Sequence, residues 1–190
     1  MAATDLVDET EPGAEPGGPV ATLLPGRGYG PQAPLLYYAR VLLRQRGWGV
    51  RVVQWDRVPG LDPADGTAVA DAARALLADA DPGRDLVVAK SLGSRALPAA
   101  AERGLRGVWL TPLLGVEEVR RAAARAPAGT LLIGGGADPY WDRAAAASTG
   151  CTVVEVPGAD HSLELPGDLD GTLTALAAVL ARVGAHLDGL

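Results

Sequence analysis

Leu86-Val87-Val88-Ala89-Lys90-Ser91-Leu92-Gly93-Ser94 is the stretch on which the fold turns. Its first four residues are a continuous apolar run, as a strand covered on both faces requires. A helix follows at once, reaching about residue 102. The residues two before and two after Ser91 are Ala89 and Gly93, the small side chains that a tight strand-to-helix turn can accommodate. Outward from this junction the same alternation repeats. Apolar runs at 20–24, 50–55, 108–110, 130–133 and 152–156 predict five more strands. Between them lie helical spacings: Leu35, Tyr38 and Leu42 stopping at Gly47; Val69, Ala73, Leu76 and Leu77; about 116–125; and a short one near 141–147. Leu173, Leu176, Leu180 and Val183 mark a closing helix. Six strands alternating with helices predict an α/β fold: a doubly wound, mostly parallel six-stranded sheet with helices on both faces.

Composition narrows the function. The chain has 190 residues, enough for one core and not comfortably for two. The expected organisation is an acidic flexible tail over 1–18 and a single domain over 19–190. That tail holds Asp5, Asp8, Glu9, Glu11 and Glu15, five of the six net negative charges. A basic stripe is lacking, so nucleic acid is not an expected partner. With no Phe and 4% aromatic residues, the core is expected to be Leu, Val and Ala. A single cysteine, Cys151, permits no internal disulfide and suits a cytoplasmic protein. No membrane span and no signal sequence is read. With two histidines and one cysteine, neither a metal site nor a cofactor is expected. Sixteen Arg against one Lys, and no Asn, suggest a GC-rich bacterial genome.

In parallel sheets ligands bind beyond the carboxyl ends of strands, so the residues there carry the chemistry. Ala89-Lys90-Ser91-Leu92-Gly93 resembles the nucleophile elbow of the α/β-hydrolase superfamily, with Ala in place of the usual first Gly. Taken alone, the pentapeptide also suits a helix-capping Ser. The superfamily's order of nucleophile, acid and histidine continues in Gly136-Ala137-Asp138-Pro139-Tyr140-Trp141-Asp142 and in Pro157-Gly158-Ala159-Asp160-His161-Ser162, each after a later strand. The resemblance spans residues 20–187 and is nearest to small, lidless, dienelactone-hydrolase-like members. It implies Ser91 as nucleophile, His161 as base and Asp138 as the acid that orients it. Asp142 is the main competitor for the acid, Glu117 and Glu118 remoter ones, and a cap for the helix starting near Tyr140 is the alternative role for Asp138. His186 is expected at a surface.

By the same resemblance the oxyanion hole would use the backbone N–H of Leu92 and of Arg27, with Gly28 or Tyr29 next, in the loop Leu24-Pro25-Gly26-Arg27-Gly28-Tyr29-Gly30. Gly28, Tyr29, Thr111 and Pro112 are candidate pocket residues, and 109–114 a candidate apolar wall. Lys90, the only lysine, either braces the elbow or merely occupies a tolerant position. The interval 110–130 is too short for a cap domain, and the strands that precede this core in many relatives are expected to be absent. The implied function is hydrolysis of a small-molecule ester or thioester through an acyl-enzyme. The alternative is a non-catalytic scaffold that keeps the fold, which would hold Ser91 and His161 apart. A flavodoxin-like cofactor binder would need a phosphate loop that the sequence lacks.

Overall fold

The computed structural model describes residues 7–11, 15 and 17–190. Six parallel strands form the body of one sheet: β2 (Val20–Leu24), β3 (Gly49–Val53), β4 (Leu86–Lys90), β5 (Arg106–Leu110), β6 (Leu131–Gly135) and β7 (Thr152–Val156). Their spatial order is β3-β2-β4-β5-β6-β7. The chain leaves β2 toward β3, then crosses back over β2 to lay β4 on its other side. That reversal opens a crevice beyond the carboxyl ends of β2 and β4, the position at which doubly wound sheets bind ligands.

A seventh strand corrects one expectation. Residues Val7–Glu11, inside the stretch read as a flexible tail, form β1 and pair antiparallel with β3, Glu11 opposite Val50 and Thr10 opposite Arg51. A strand therefore does precede the parallel core. The segment has no apolar run because an edge strand is held by its backbone ladder to one neighbour and needs no two-sided burial.

The helices are α1 (Pro34–Gln45), α2 (Gly66–Leu76), α3 (Leu97–Glu102), α4 (Glu117–Ala123), α5 (Arg143–Ala147) and α6 (Leu169–Leu187). Alternation along each strand divides the core into two layers. Leu86 and Val88 face α1 and α6, where they meet Leu36, Ala39, Leu43, Val179 and Val183. Val87 and Ala89 face the other layer, with Val69, Ala73, Leu97 and Val119 of α2, α3 and α4. The buried stripe of α1 is Leu35, Leu36, Ala39 and Leu43, one position round from the face expected, and Tyr38 is exposed. Leu173 of α6 is likewise exposed, and the seam runs through Val179, Val183 and Leu187. Indole rings supply the bulk that missing phenylalanines would: Trp48, Trp55 and Trp109 are buried, the last over Gly107, where a Cβ would lie 2.6 Å from the indole nitrogen.

Between β5 and β6 only α4 intervenes, so no cap domain is inserted there. No helix among the described residues is long and apolar enough to cross a membrane.

Candidate active site

Strand β4 runs straight into a 3₁₀ turn over Ser91–Ala96, and Ser91 itself takes a left-handed backbone conformation at φ +49°. A side-chain-bearing residue adopts that region at a cost of about 1–3 kcal/mol, which here turns the hydroxyl out of the sheet's end. Gly93 is needed for the same turn. A Cβ at 93 would fall 2.3 Å from the Leu24 carbonyl oxygen of the neighbouring strand. Ala89 is fully buried and its methyl fits, so the departure from glycine there is accommodated.

His161 reaches Ser91 from the loop after β7. Its Nε2 lies 2.7 Å from Ser91 Oγ and its Nδ1 lies 2.8 Å from Asp138 Oδ2. The loop is tightly made: Asp160 Oδ1 accepts from the amides of Ser162 and Glu164, and Leu163 has φ +61°. It also lies hard against the end of β6, where a Cβ on Gly135 would come within 2.3 Å of the Ala159 carbonyl oxygen. The Asp138 carboxylate is fully covered, and its second oxygen accepts from the Tyr140 amide at 2.8 Å. It thus orients the histidine and holds its own turn at once.

The competing acids are occupied elsewhere. Asp142 is the N-cap of α5 and accepts from the Ala145 amide at 2.8 Å. Glu117 pairs with Arg120 and Arg121 along α4, and Glu118 faces Arg95. His186 sits near the end of α6, with Nε2 3.1 Å from the Gly129 carbonyl, and burial lowers its pKa.

A cavity of about 280 Å³ opens at Ser91, lined by Arg27, Gly66, Leu92, Arg95, Tyr140 and His161 among others. The two residues expected to offer oxyanion amides, Leu92 and Arg27, therefore both border it. The Arg27 loop is a tight turn in which the Gly26 amide donates to the Tyr29 carbonyl at 3.2 Å, with Gly28 at φ +76°. It is held from behind by Trp55, whose Nε1 donates to the Pro25 carbonyl at 2.8 Å.

The remaining pocket candidates fall differently. Gly28 borders a neighbouring cleft with Pro25 and Asp56, and Tyr29 a larger groove of about 640 Å³ between α1 and α6 that contains none of the three residues above. Thr111 and Pro112 are buried, and of the expected apolar wall only Leu113 reaches the cavity. Side chains that point into the sheet's core cannot also line a cleft, and Trp109, Leu110 and Leu114 do the former.

Lys90 was an open question in the sequence; here it is fully buried beneath the histidine loop. Its Nζ donates to the His161 carbonyl at 2.9 Å and to Thr111 Oγ1 at 3.1 Å, and stands 4.4 Å from the Tyr29 ring centroid. Burial lowers its pKa to about 8, against the opposing pull of Asp138, Asp160 and Glu164. Tyr140 and Arg95 were not foreseen at all. The Tyr140 ring packs edge-on against His161 at 4.9 Å between centroids. No cluster of His, Cys, Asp or Glu able to hold a metal occurs among the described residues.

An open, capless parallel sheet with a serine elbow after β4 and a histidine loop after β7 is the α/β-hydrolase fold, and this chain has it. Solved structures with the same fold include an α/β serine hydrolase homologue from Coxiella burnetii, with TM-score 0.68 and 15% identity over 93% of this chain and 88% of the other. A serine hydrolase without lid from Xanthomonas campestris matches with TM-score 0.63 and 19% identity, over 94% and 86%. Dienelactone hydrolase from Anabaena variabilis matches with TM-score 0.65 and 21% identity, over 94% and 88%. No protein-family model matches the sequence. A search of curated proteins also finds no match.

Proposed function

We propose that this protein is a serine hydrolase that cleaves small carboxylic esters or thioesters through an acyl-enzyme on Ser91. The observation that carries the proposal is the continuous relay from Ser91 Oγ through His161 to the covered Asp138 carboxylate, with contacts of 2.7 and 2.8 Å. Ser91 Oγ attacks the substrate carbonyl carbon while His161 Nε2 takes the hydroxyl proton. The Leu92 and Arg27 amides receive the developing oxyanion. The tetrahedral adduct collapses by breaking the bond to the leaving oxygen or sulfur, which takes the proton from His161. Water, deprotonated by the same nitrogen, then attacks the acyl carbon; the bond from that carbon to Ser91 Oγ breaks, the carboxylic acid leaves, and Oγ takes the proton back from His161. Asp138 holds the ring with Nε2 toward Ser91 and stabilises the imidazolium. The small cavity volume favours a compact acyl group, and small-molecule substrates are the class of partner it suits.

A fluorophosphonate probe tests this directly, since it reacts only with an activated serine. Wild-type protein is expected to be labelled stoichiometrically and Ser91→Ala not at all. Absence of labelling in wild type, or equal labelling of the variant, would favour the scaffold alternative.

A further inference from the structure

We propose that the substrate of this site carries an anionic group, a carboxylate or phosphoryl a few bonds from the scissile carbonyl, and that Arg95 recognises it with Arg27 at the mouth. The inference rests on the Ser91 reading for its chemistry but on separate residues for its recognition.

The chain carries a net charge of −6, yet the cavity at Ser91 is lined by Arg27 and Arg95 and, among the described residues, by no carboxylate. The one acid in the relay, Asp138, is covered and sits behind His161. The start of α2 borders the same space through Pro63, Ala64 and Gly66, bringing the positive end of an 11-residue helix toward it. Asp65 takes the Thr67 and Ala68 amides of that helix, so the arginines, not the helix end, supply the charge.

Arg95 is held in place without being used up. Its guanidinium lies on Gly66, where a Cβ would fall 2.6 Å from Cζ and 2.7 Å from Nη2. Glycine at the first position of a helix gives up propensity, and its effect here is to make room for that flat group. The Nε–H is buried and has no acceptor among the described residues. The acid facing Arg95 is Glu118, whose carboxylate is 3.6 Å from Nη1 and whose side chain is 72% exposed. That separation is too long for a hydrogen bond, and an exposed pair of this kind is strongly screened. A partly buried guanidinium with unconsumed donors, beside a nucleophile, is the arrangement that a planar anion completes in bidentate fashion. The 280 Å³ cavity limits the spacing between that anion and the reacting carbonyl to a short chain.

The test uses the full chain and three esters of matched length: monoethyl glutarate, the same ester with a carboxamide in place of the free carboxylate, and ethyl 4-phosphonobutanoate. Wild type is expected to prefer at least one anionic ester over the carboxamide by about tenfold or more in kcat/KM, the range of a lost charged hydrogen bond, expressed mainly in KM. The carboxylate and phosphonate arms tell which anion is taken. Arg95→Gln and Gly66→Ala are both expected to bring that ratio toward one. Glu118→Gln separates a rim ion pair from ligand recognition: it should keep or raise the ratio, whereas a purely structural pair would make it mimic Arg95→Gln. Calorimetric binding of glutarate and of inorganic phosphate to Ser91→Ala reads recognition without chemistry, and the added Arg95→Gln should abolish it. A ratio near one in wild type, or one unchanged in Arg95→Gln, overturns the inference. If no ester is cleaved, glutarate or phosphate binding that depends on Arg95 sustains it while the hydrolase reading fails. The absence of such binding overturns it.

Discussion

Replacing Lys90 by Met keeps the length of the side chain and removes a buried ammonium, so the pH dependence of stability should change in a defined window. In the unfolded chain a lysine titrates near its ordinary value of 10.5, whereas in the folded protein burial brings Lys90 to about 8. A cationic group whose folded pKa is lowered opposes folding wherever the unfolded chain still binds the proton. The penalty is fully present below pH 8, fades as pH rises from 8 toward 10.5, and is absent above that. The displacement corresponds to about 3 kcal/mol in full. Between pH 7.5 and 9.5 the stability of wild type relative to Lys90→Met should therefore rise by about 2 kcal/mol. Urea unfolding of both proteins at three pH values in that range measures it, since groups common to both cancel in the difference. At pH 7.5 the two should differ less than the full penalty, because Met leaves the His161 carbonyl and Thr111 hydroxyl without their buried donor, at about 1–3 kcal/mol each. A difference that is flat or falls with pH would refute the reasoning, for it would mean that Lys90 keeps the pKa of a solvated lysine.

Three further substitutions probe the relay, its competing acid and the elbow. Asp138→Asn should cut turnover by on the order of 10³–10⁴-fold, since the amide holds the wrong histidine tautomer. Asp142→Ala should leave turnover largely intact and lower stability by about 0.5–2 kcal/mol through loss of the α5 cap; steady-state kinetics and thermal unfolding of both separate the two acids. Gly93→Ala must move either the Leu24 carbonyl or the turn at Ser91. It is expected to lower stability by about 1–3 kcal/mol and to slow fluorophosphonate labelling, and unchanged labelling kinetics would remove the close approach as the reason for glycine there.

Much of this architecture was legible because burial imposes period and composition. A parallel strand covered on both faces must be apolar throughout, so Leu86–Ala89 could be recognised as such, and right-handed crossovers left few ways to arrange six of them. The positions of Ser91, Asp138 and His161 were legible for a related reason: each falls just beyond the end of a strand, where the fold leaves side chains to converge. Edge pairing was not legible, because Val7–Glu11 is held by main-chain groups that every residue possesses. Two of the candidate pocket residues, Thr111 and Pro112, lie outside the cavity at Ser91. They stand beyond a strand end as Ser91 does, but the chain turns inward there, at φ +44° for Thr111, and buries both. Arg95 gave one signal that could have been used. It stands four residues after the nucleophile on the same turn of chain, close enough to share its cleft.

The non-glycine residues with left-handed backbone are Ser91, Thr111 and Leu163 among the described ones, and they lie at the end of β4, just beyond β5 and in the histidine loop. Strained backbone persists only where the surroundings over-determine it. Lys90 is the side chain that meets all three segments: it precedes Ser91, donates to Thr111 and donates to the carbonyl of His161, two residues before Leu163. Its fourth contact, the Tyr29 ring, belongs to the loop that carries the Arg27 amide. An apolar residue of equal volume would fill the space, but it could not donate to two acceptors on different strands' loops. A buried charge is a poor source of stability, and its retention here is better explained by register. The ammonium ties the strand that leads into Ser91 to the loop that brings His161 Nε2 to within 2.7 Å of Ser91 Oγ. Its removal should therefore loosen the distance on which proton transfer depends, even at a pH where the fold itself is little affected.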